Sequence, residues 1–381
     1  MRYLILSLAA CLAVESHAQP FLIGSRNITF HDDARNRDIA TNLYYPGTTA
    51  GNNATVAAGE FPVLVIGHGF VMSVDAYANL WNHFVPKGYI VALPTTEGGF
   101  APDHDAFGQD IAFIASALQT ANTDGASPFY THVAPTTALM GHSMGGGASL
   151  LGAASNTAIT TVVDLAPAET NPSAVAACAS ITVPTLIFAG SNDCITPIAD
   201  HTAPMYAALT MECRAFVNIT GGGHCYFAGN NFNCAFGELT CTPTPDITRA
   251  QQHDVVNDFA GLWLDHFLKG DQQAFADLLD SLDLSARAVS QHTCAITTTA
   301  VENEPATWWV GPIPAHDVLQ FGGIAPGTVL RVVDLTGKEV IGRVVVGGTG
   351  TVPVHQLAQG TYRVELFTSD GVRSRLVVVH R

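Results

Sequence analysis

The chain has 381 residues, of which 48% are hydrophobic, enough for one large core and a second, smaller domain. Its 16 Lys and Arg are spread thinly against 32 Asp and Glu, giving a formal net charge of -16. No basic stripe could neutralise phosphates, which argues against nucleic acid and anionic membrane as partners.

Met1-Arg2, an apolar run from Tyr3 to Val14, and Ser16-His17-Ala18 predict a signal peptide over residues 1–18 and export. Leu8-Ala9-Ala10-Cys11 also fits a lipoprotein box, although the apolar run before Cys11 is short for one. No other segment approaches the ~18 uninterrupted apolar residues of a membrane span. Cleavage after Ala18 leaves Cys178, Cys194, Cys213, Cys225, Cys234, Cys241 and Cys294, an odd set in an oxidising compartment, so disulfides are expected with at least one thiol unpaired. These cysteines form no paired C-x-x-C units and have no His cluster beside them, so no metal site is expected.

Antiparallel edge strands are expected up to Tyr45. From Phe61 to His266, β-rich apolar runs then alternate with helical spacing. The strands are Pro62 to Ile66, Tyr89 to Leu93, Thr137 to Met140, Thr161 to Leu165, Thr185 to Ala189 and Ala215 to Ile219. The helices are Asp105 to Leu118, Gly146 to Ala154, Pro197 to Leu209 and Thr248 to Leu268. This is an α/β pattern: a mostly parallel sheet covered by helices on both faces. The domains read as 19–292 for catalysis, 293–307 as a Thr-rich linker and 308–381 as a small all-β domain. In the last, short segments at Val329 to Val333, Glu339 to Val346, Tyr362 to Phe367 and Ser374 to Val379 are separated by turns at Thr336-Gly337-Lys338 and Asp370-Gly371.

Gly141-His142-Ser143-Met144-Gly145 is a G-x-S-x-G between a strand and a helix, the context in which that motif presents a nucleophilic serine. A serine hydroxyl needs a base, and the base an orienting acid; in this fold the acid precedes the histidine along the chain. Asp193 and His224 each follow the carboxyl end of a predicted strand, so Ser143, Asp193 and His224 are the candidate catalytic triad. Asp164 is the competing acid, but it lies inside an apolar strand. The backbone N–H groups of Met144 and, in the loop His68-Gly69-Phe70, of Phe70 are the oxyanion-hole candidates, while His68 is read as loop packing. Such a cycle requires no metal or organic cofactor. About seventeen residues separate Pro167 from Thr185, too few for a helical lid, so an open site is expected.

Gly141 to Gly147, Val183-Pro184-Thr185-Leu186-Ile187, Asp193 with Thr196-Pro197-Ile198-Ala199, and His224 resemble bacterial cutinase-like polyester hydrolases, over roughly Phe61 to Leu268. Dienelactone-hydrolase-like and chlorophyllase-like proteins share the serine turn. The resemblance implies an α/β-hydrolase fold, ester cleavage and an aromatic oxyanion residue at Phe70. It also implies a tryptophan where this chain has Ala168, with Tyr226 and Phe227 as substitute aromatics. Trp308 to Arg381, through Gly311-Pro312-Ile313-Pro314-Ala315, Leu335-Thr336-Gly337-Lys338-Glu339-Val340 and Leu357-Ala358-Gln359-Gly360-Thr361-Tyr362, resembles the type A sorting domain of type IX secretion. That implies the type IX machinery as a partner and a secreted or cell-surface location.

The leading expectation is a secreted serine esterase acting on lipid-like or polyester substrates. Its alternatives are a chlorophyllase-like or general esterase or lipase, a non-catalytic surface-displayed binding protein, and a serine peptidase. Because Asp193 and His224 must approach each other, Cys194 and Cys225 beside them are the disulfide candidates, supported by a similar loop tie in some relatives of that family; Cys178 or Cys213 could instead receive Cys194.

Overall fold

The computed structural model describes residues 19–156, 158–295, 308–312, 314–334, 337–368 and 371–381. The expected signal peptide at 1–18, most of the expected linker, and the turn residues Thr336 and Asp370 lie outside the described residues. The chain divides into two compact units, the first ending at residue 296.

In chain order the first unit contains β1 (Leu22–Asp32), β2 (Arg37–Gly47), β3 (Gly51–Asn52), β4 (Phe61–Gly67), α1 (Ala78–Phe84), β5 (Ile90–Pro94), α2 (His104–Ala121), β6 (Val133–His142) and α3 (Met144–Ser155). It continues with β7 (Thr161–Leu165), α4 (Ala174–Cys178), β8 (Thr185–Gly190), α5 (Thr202–Ala208), β9 (Arg214–Ile219), α6 (Phe232–Glu238), α7 (Arg249–Lys269), α8 (Gln272–Leu284) and β10 (Ala288–His292). Among the described residues these strands form one ten-stranded sheet in the order β10-β9-β8-β7-β6-β4-β5-β2-β1-β3. Pairing is parallel from β5 through β4, β6, β7 and β8 to β9, and antiparallel where β2 meets β5, β1 meets β2, and β10 meets β9.

The inner strands are buried on both faces, which is why they read as largely apolar runs. Their alternating side chains feed two cores. Leu64, Ile66, Met140, Leu165 and Phe188 meet Trp81 of α1, Phe259 and Trp263 of α7 and Leu278 of α8. Val63, Val65, Leu139, Val162 and Ile187 meet Ile111 and Ile114 of α2, Leu150 of α3 and Met205 of α5. Each fully buried Leu, Ile or Phe contributes roughly 1.5–3 kcal/mol, so both helical layers are needed to cover the sheet. Local signals set the helix ends: Asp103 caps α2 through Ala106 N–H, Thr248 and Gln251 form a capping box on α7, and Gly270 closes α7 at φ 74°.

The second unit holds β11 (Trp309–Gly311), β12 (Val318–Asp334), β13 (Glu339–Pro353), β14 (Gly360–Thr368) and β15 (Gly371–Val379), ordered β11-β12-β14-β15 with β13 also on β12. It has its own core, including Leu330, Val332, Val364 and Val377.

Candidate active site

β6 ends at His142 and α3 starts at Met144, so Ser143 occupies the turn between them at φ 57°, ψ -122°, a strained backbone for a residue with a side chain. Glycines make the turn possible. A Cβ on Gly141 would lie 2.1 Å from the carbonyl oxygen of Gly145, and one on Gly145 2.2 Å from that of Gly67 at the end of β4. The Ser143 carbonyl accepts from Gly146, Gly147 and Ala168, which fixes the turn.

Asp193 and His224 come together from the loops after β8 and β9. His224 Nδ1 lies 2.8 Å from Asp193 Oδ2, and both side chains are buried. Asp193 Oδ1 accepts the N–H groups of Ile195 and Thr196, each at 2.8 Å, and Thr196 Oγ1 donates to Oδ2 at 2.7 Å. Burial alone would raise the Asp193 pKa, but the attraction of His224 and the hydrogen bonds from His224 and Thr196 outweigh it and hold it down at about 2. The imidazole is therefore engaged at Nδ1, and no hydrogen bond among the described residues commits the Ser143 hydroxyl or His224 Nε2. Asp164 does not reach His224. It lies fully buried in β7, accepts the Ser149 hydroxyl, and burial pushes its pKa well up.

Sequence reasoning missed a relay on the other side of the base. Gly69 N–H donates to the Tyr77 hydroxyl at 2.7 Å, that hydroxyl lies 2.9 Å from His142 Nδ1, and His142 Nε2 lies 3.1 Å from the His224 carbonyl oxygen. A carbonyl only accepts, so Nε2 carries the proton and Nδ1 accepts from Tyr77. Complete burial, reinforced by the charge of His224, lowers the His142 pKa to about 3 and keeps the ring neutral. The loop expected to supply an oxyanion donor is thus linked to the base loop. Replacing Tyr77 by Phe leaves the Gly69 N–H and His142 Nδ1 buried without partners, with an expected loss of about 1–3 kcal/mol in denaturant unfolding.

Neither Phe70 nor Met144 donates its N–H to a backbone carbonyl among the described loop and turn hydrogen bonds. His68 is buried, with ring nitrogens on the carbonyls of Gly69 and Thr96, and packs the loop. A cavity of about 430 Å³ adjoins it, lined also by Met72, Asn231 and Asn233. Phe227, expected as a substitute aromatic, is buried in the core, and Tyr226 lies beneath the Arg249 guanidinium at 4.5 Å. Phe70 and Phe100 are exposed and lie edge to face at 6.4 Å. Buried Asp110 steadies the Phe100 loop: it binds Arg37 and the Thr96 hydroxyl, and Arg37 also reaches Glu97. The segment after Pro167 forms only the short α4, whose Ala174 and Cys178 pack into the core with α3.

The expected Cys194–Cys225 bond is not formed. Cys194 joins Cys241, Cys225 joins Cys234, and Cys213 joins Cys294, leaving Cys178 as a buried free thiol. The carboxylate and imidazole point toward each other, whereas the next side chain on each loop turns away, toward the segment around α6.

The mixed, mainly parallel sheet thus carries a strained serine turn and, at its strand ends, a buried Asp–His pair. The chain belongs to the PET hydrolase-like family, whose sequence pattern matches residues 14–241 and implies the α/β-hydrolase fold. It is 29% identical over 198 residues to cutinase est1 of Thermobifida alba, covering 51% of this chain and 60% of that one. It is 26% identical over 199 residues to the bis(hydroxyethyl) terephthalate hydrolase of Streptomyces coelicolor, covering 52% of this chain and 58% of the relative. A shorter stretch of 104 residues is 36% identical to cutinase 1 of Thermobifida cellulosilytica, 27% of this chain and 37% of that protein. The first two matches thus span about three fifths of the relatives' length. Among the described residues no helix is long and apolar enough to cross a membrane.

Proposed function

We propose that this protein is a secreted serine carboxylic-ester hydrolase acting on lipid-like or polyester substrates. The observation that carries this reading is the buried Asp193–His224 pair, which leaves Nε2 uncommitted, together with a serine on a strained turn. In the cycle, Ser143 Oγ attacks the ester carbonyl carbon as its proton passes to His224 Nε2. The N–H groups of Phe70 and Met144 hold the resulting oxyanion. Collapse expels the alcohol, which takes the proton from Nε2, and leaves an acyl-serine. Water then attacks through the same base, releasing the carboxylic acid and restoring the serine. Family membership and similarity to cutinases and to a terephthalate ester hydrolase favour ester substrates over peptides. Ala168 replaces the tryptophan of that resemblance, so the aromatic wall falls to Phe70 and Phe100.

The second unit, a self-contained antiparallel sheet, is read as the type IX sorting domain. One experiment tests both readings. The full chain and a chain ending at residue 296 are compared for turnover of nitrophenyl butyrate and of a peptide nitroanilide, and for export from a host with type IX secretion. Equal turnover of the ester by both chains, little of the amide, and export of the full chain alone are expected. Preference for the amide would overturn the esterase reading, and export of the short chain the sorting reading.

A further inference from the structure

α6 has no buried residue, yet it is tethered at several points. Cys234 within it bonds Cys225, which follows His224; Cys241 just beyond it bonds Cys194, which follows Asp193. Glu238 Oε1 accepts the Cys225 N–H at 2.9 Å, and Asn233 donates to the Val71 carbonyl at 2.7 Å. The helix is therefore tied to the acid loop, the base loop and the loop after Phe70 at once. Its outer face carries Phe232, Leu239 and Phe236, exposed by 80%, 74% and 66%. The two rings stack at 6.3 Å, and Ile195 of the acid loop is also exposed beside Gly237. Spacing of four and then three residues places these side chains on one stripe. Two disulfides fastening a helix with no fully buried residue keep an apolar stripe facing water at the rim of the site.

The geometry points to α6 as the surface on which the enzyme adsorbs to a neutral, water-insoluble ester solid, an inference that rests on the esterase reading. Charge selects the neutral occupant. Glu238 is the only ionisable side chain of α6 and is already engaged by the base loop, so the stripe has no charge with which to meet an ionic surface. The chain as a whole, at net -16, repels anionic lipid. Size argues against a second copy. Four such side chains offer on the order of 500 Å², short of the roughly 800 Å² that each partner contributes to a standard interface. A flat solid needs no such complementarity, and adsorption through α6 holds the three tethered loops at the polymer.

The test uses the full chain carrying Ser143→Ala, so that the film is not eroded, with and without Phe232→Ser, Phe236→Ser and Leu239→Ser together. Depletion of protein from solution over a polycaprolactone film should fall at least fivefold in the triple variant. In the active background the same three changes should leave kcat/KM for soluble nitrophenyl butyrate within twofold. Should the triple variant misfold, Phe232→Ser alone should weaken adsorption in the same direction. Undiminished adsorption, tighter binding to anionic vesicles than to the film, or conversion of a dimer to a monomer by the substitutions would each overturn the inference. Absence of soluble-ester turnover in the unsubstituted enzyme would instead refute the esterase reading, and the adsorption measurement separates the two failures.

Discussion

Ser143→Ala is expected to lower kcat/KM for nitrophenyl butyrate by at least ~10⁴-fold while leaving the unfolding midpoint almost unchanged. The methyl group keeps the Cβ that the turn already accommodates at φ 57°, so the substitution introduces no new clash. The hydroxyl makes no hydrogen bond among the described residues, so its removal orphans no partner, and the stability change should stay within ~0.5 kcal/mol. The acyl-enzyme step is lost entirely. Residual turnover within tenfold of the parent would mean that another group attacks the ester.

Asp193→Asn is the second large effect, a loss of ~10²–10⁴-fold carried mainly by kcat. Asp193 Oδ1 accepts two backbone N–H groups, so the amide oxygen of an asparagine must take that place and its NH₂ must face His224 Nδ1. The imidazole is then forced to accept at Nδ1 and carry its proton on Nε2, the wrong tautomer for a base toward Ser143. Asp164→Asn should be mild by comparison, because that carboxyl is buried against Ser149, where burial pushes its pKa up, and makes no hydrogen bond to His224. The reverse ranking in steady-state kinetics would assign the acid elsewhere. The pH dependence has a definite sign. With a folded pKa of about 2 against an unfolded value near 4, Asp193 contributes stability above the unfolded value, and that contribution is lost as pH falls through about 2. Protonation of this carboxylate should therefore not limit kcat/KM near pH 4.

The sheet was legible in the sequence because its inner strands are covered on both faces and are largely apolar, as β4 and β5 are. The serine turn was legible for a related reason, since only glycine fits where Gly145 meets Gly67. Asp193 and His224 could be placed after strands, but Thr196, Tyr77 and His142 could not be tied to them. Thr196 is local to Asp193, but its contact with His224, that of Tyr77 with His142 and that of His142 with His224 link residues 28 to 82 positions apart, and no spacing rule carries that information. The helix expected over Pro197 to Leu209 is confined to α5, Thr202–Ala208, because residues 197–201 are taken up by turns. Strand β12 begins eleven residues before the expected Val329, and its Gly- and Pro-containing first half is accommodated by register shifts against β13. α6 and β10 went unread because almost none of their side chains is buried, and α8 went unread although Ala274, Phe275, Leu278 and Leu282 are buried at helical spacing.

The cysteine connectivity has a consequence for the covalent integrity of the rim. Cys225–Cys234 lies inside the spans of both Cys194–Cys241 and Cys213–Cys294, and those two interleave. The stretch between Cys225 and Cys234 includes exposed positions, the kind of segment a protease finds first. A single peptide bond broken anywhere in that stretch is bridged by all three crosslinks, so a nicked molecule remains one piece with its acid and base loops still joined. On a denaturing gel such a clip would be invisible until a reductant is added.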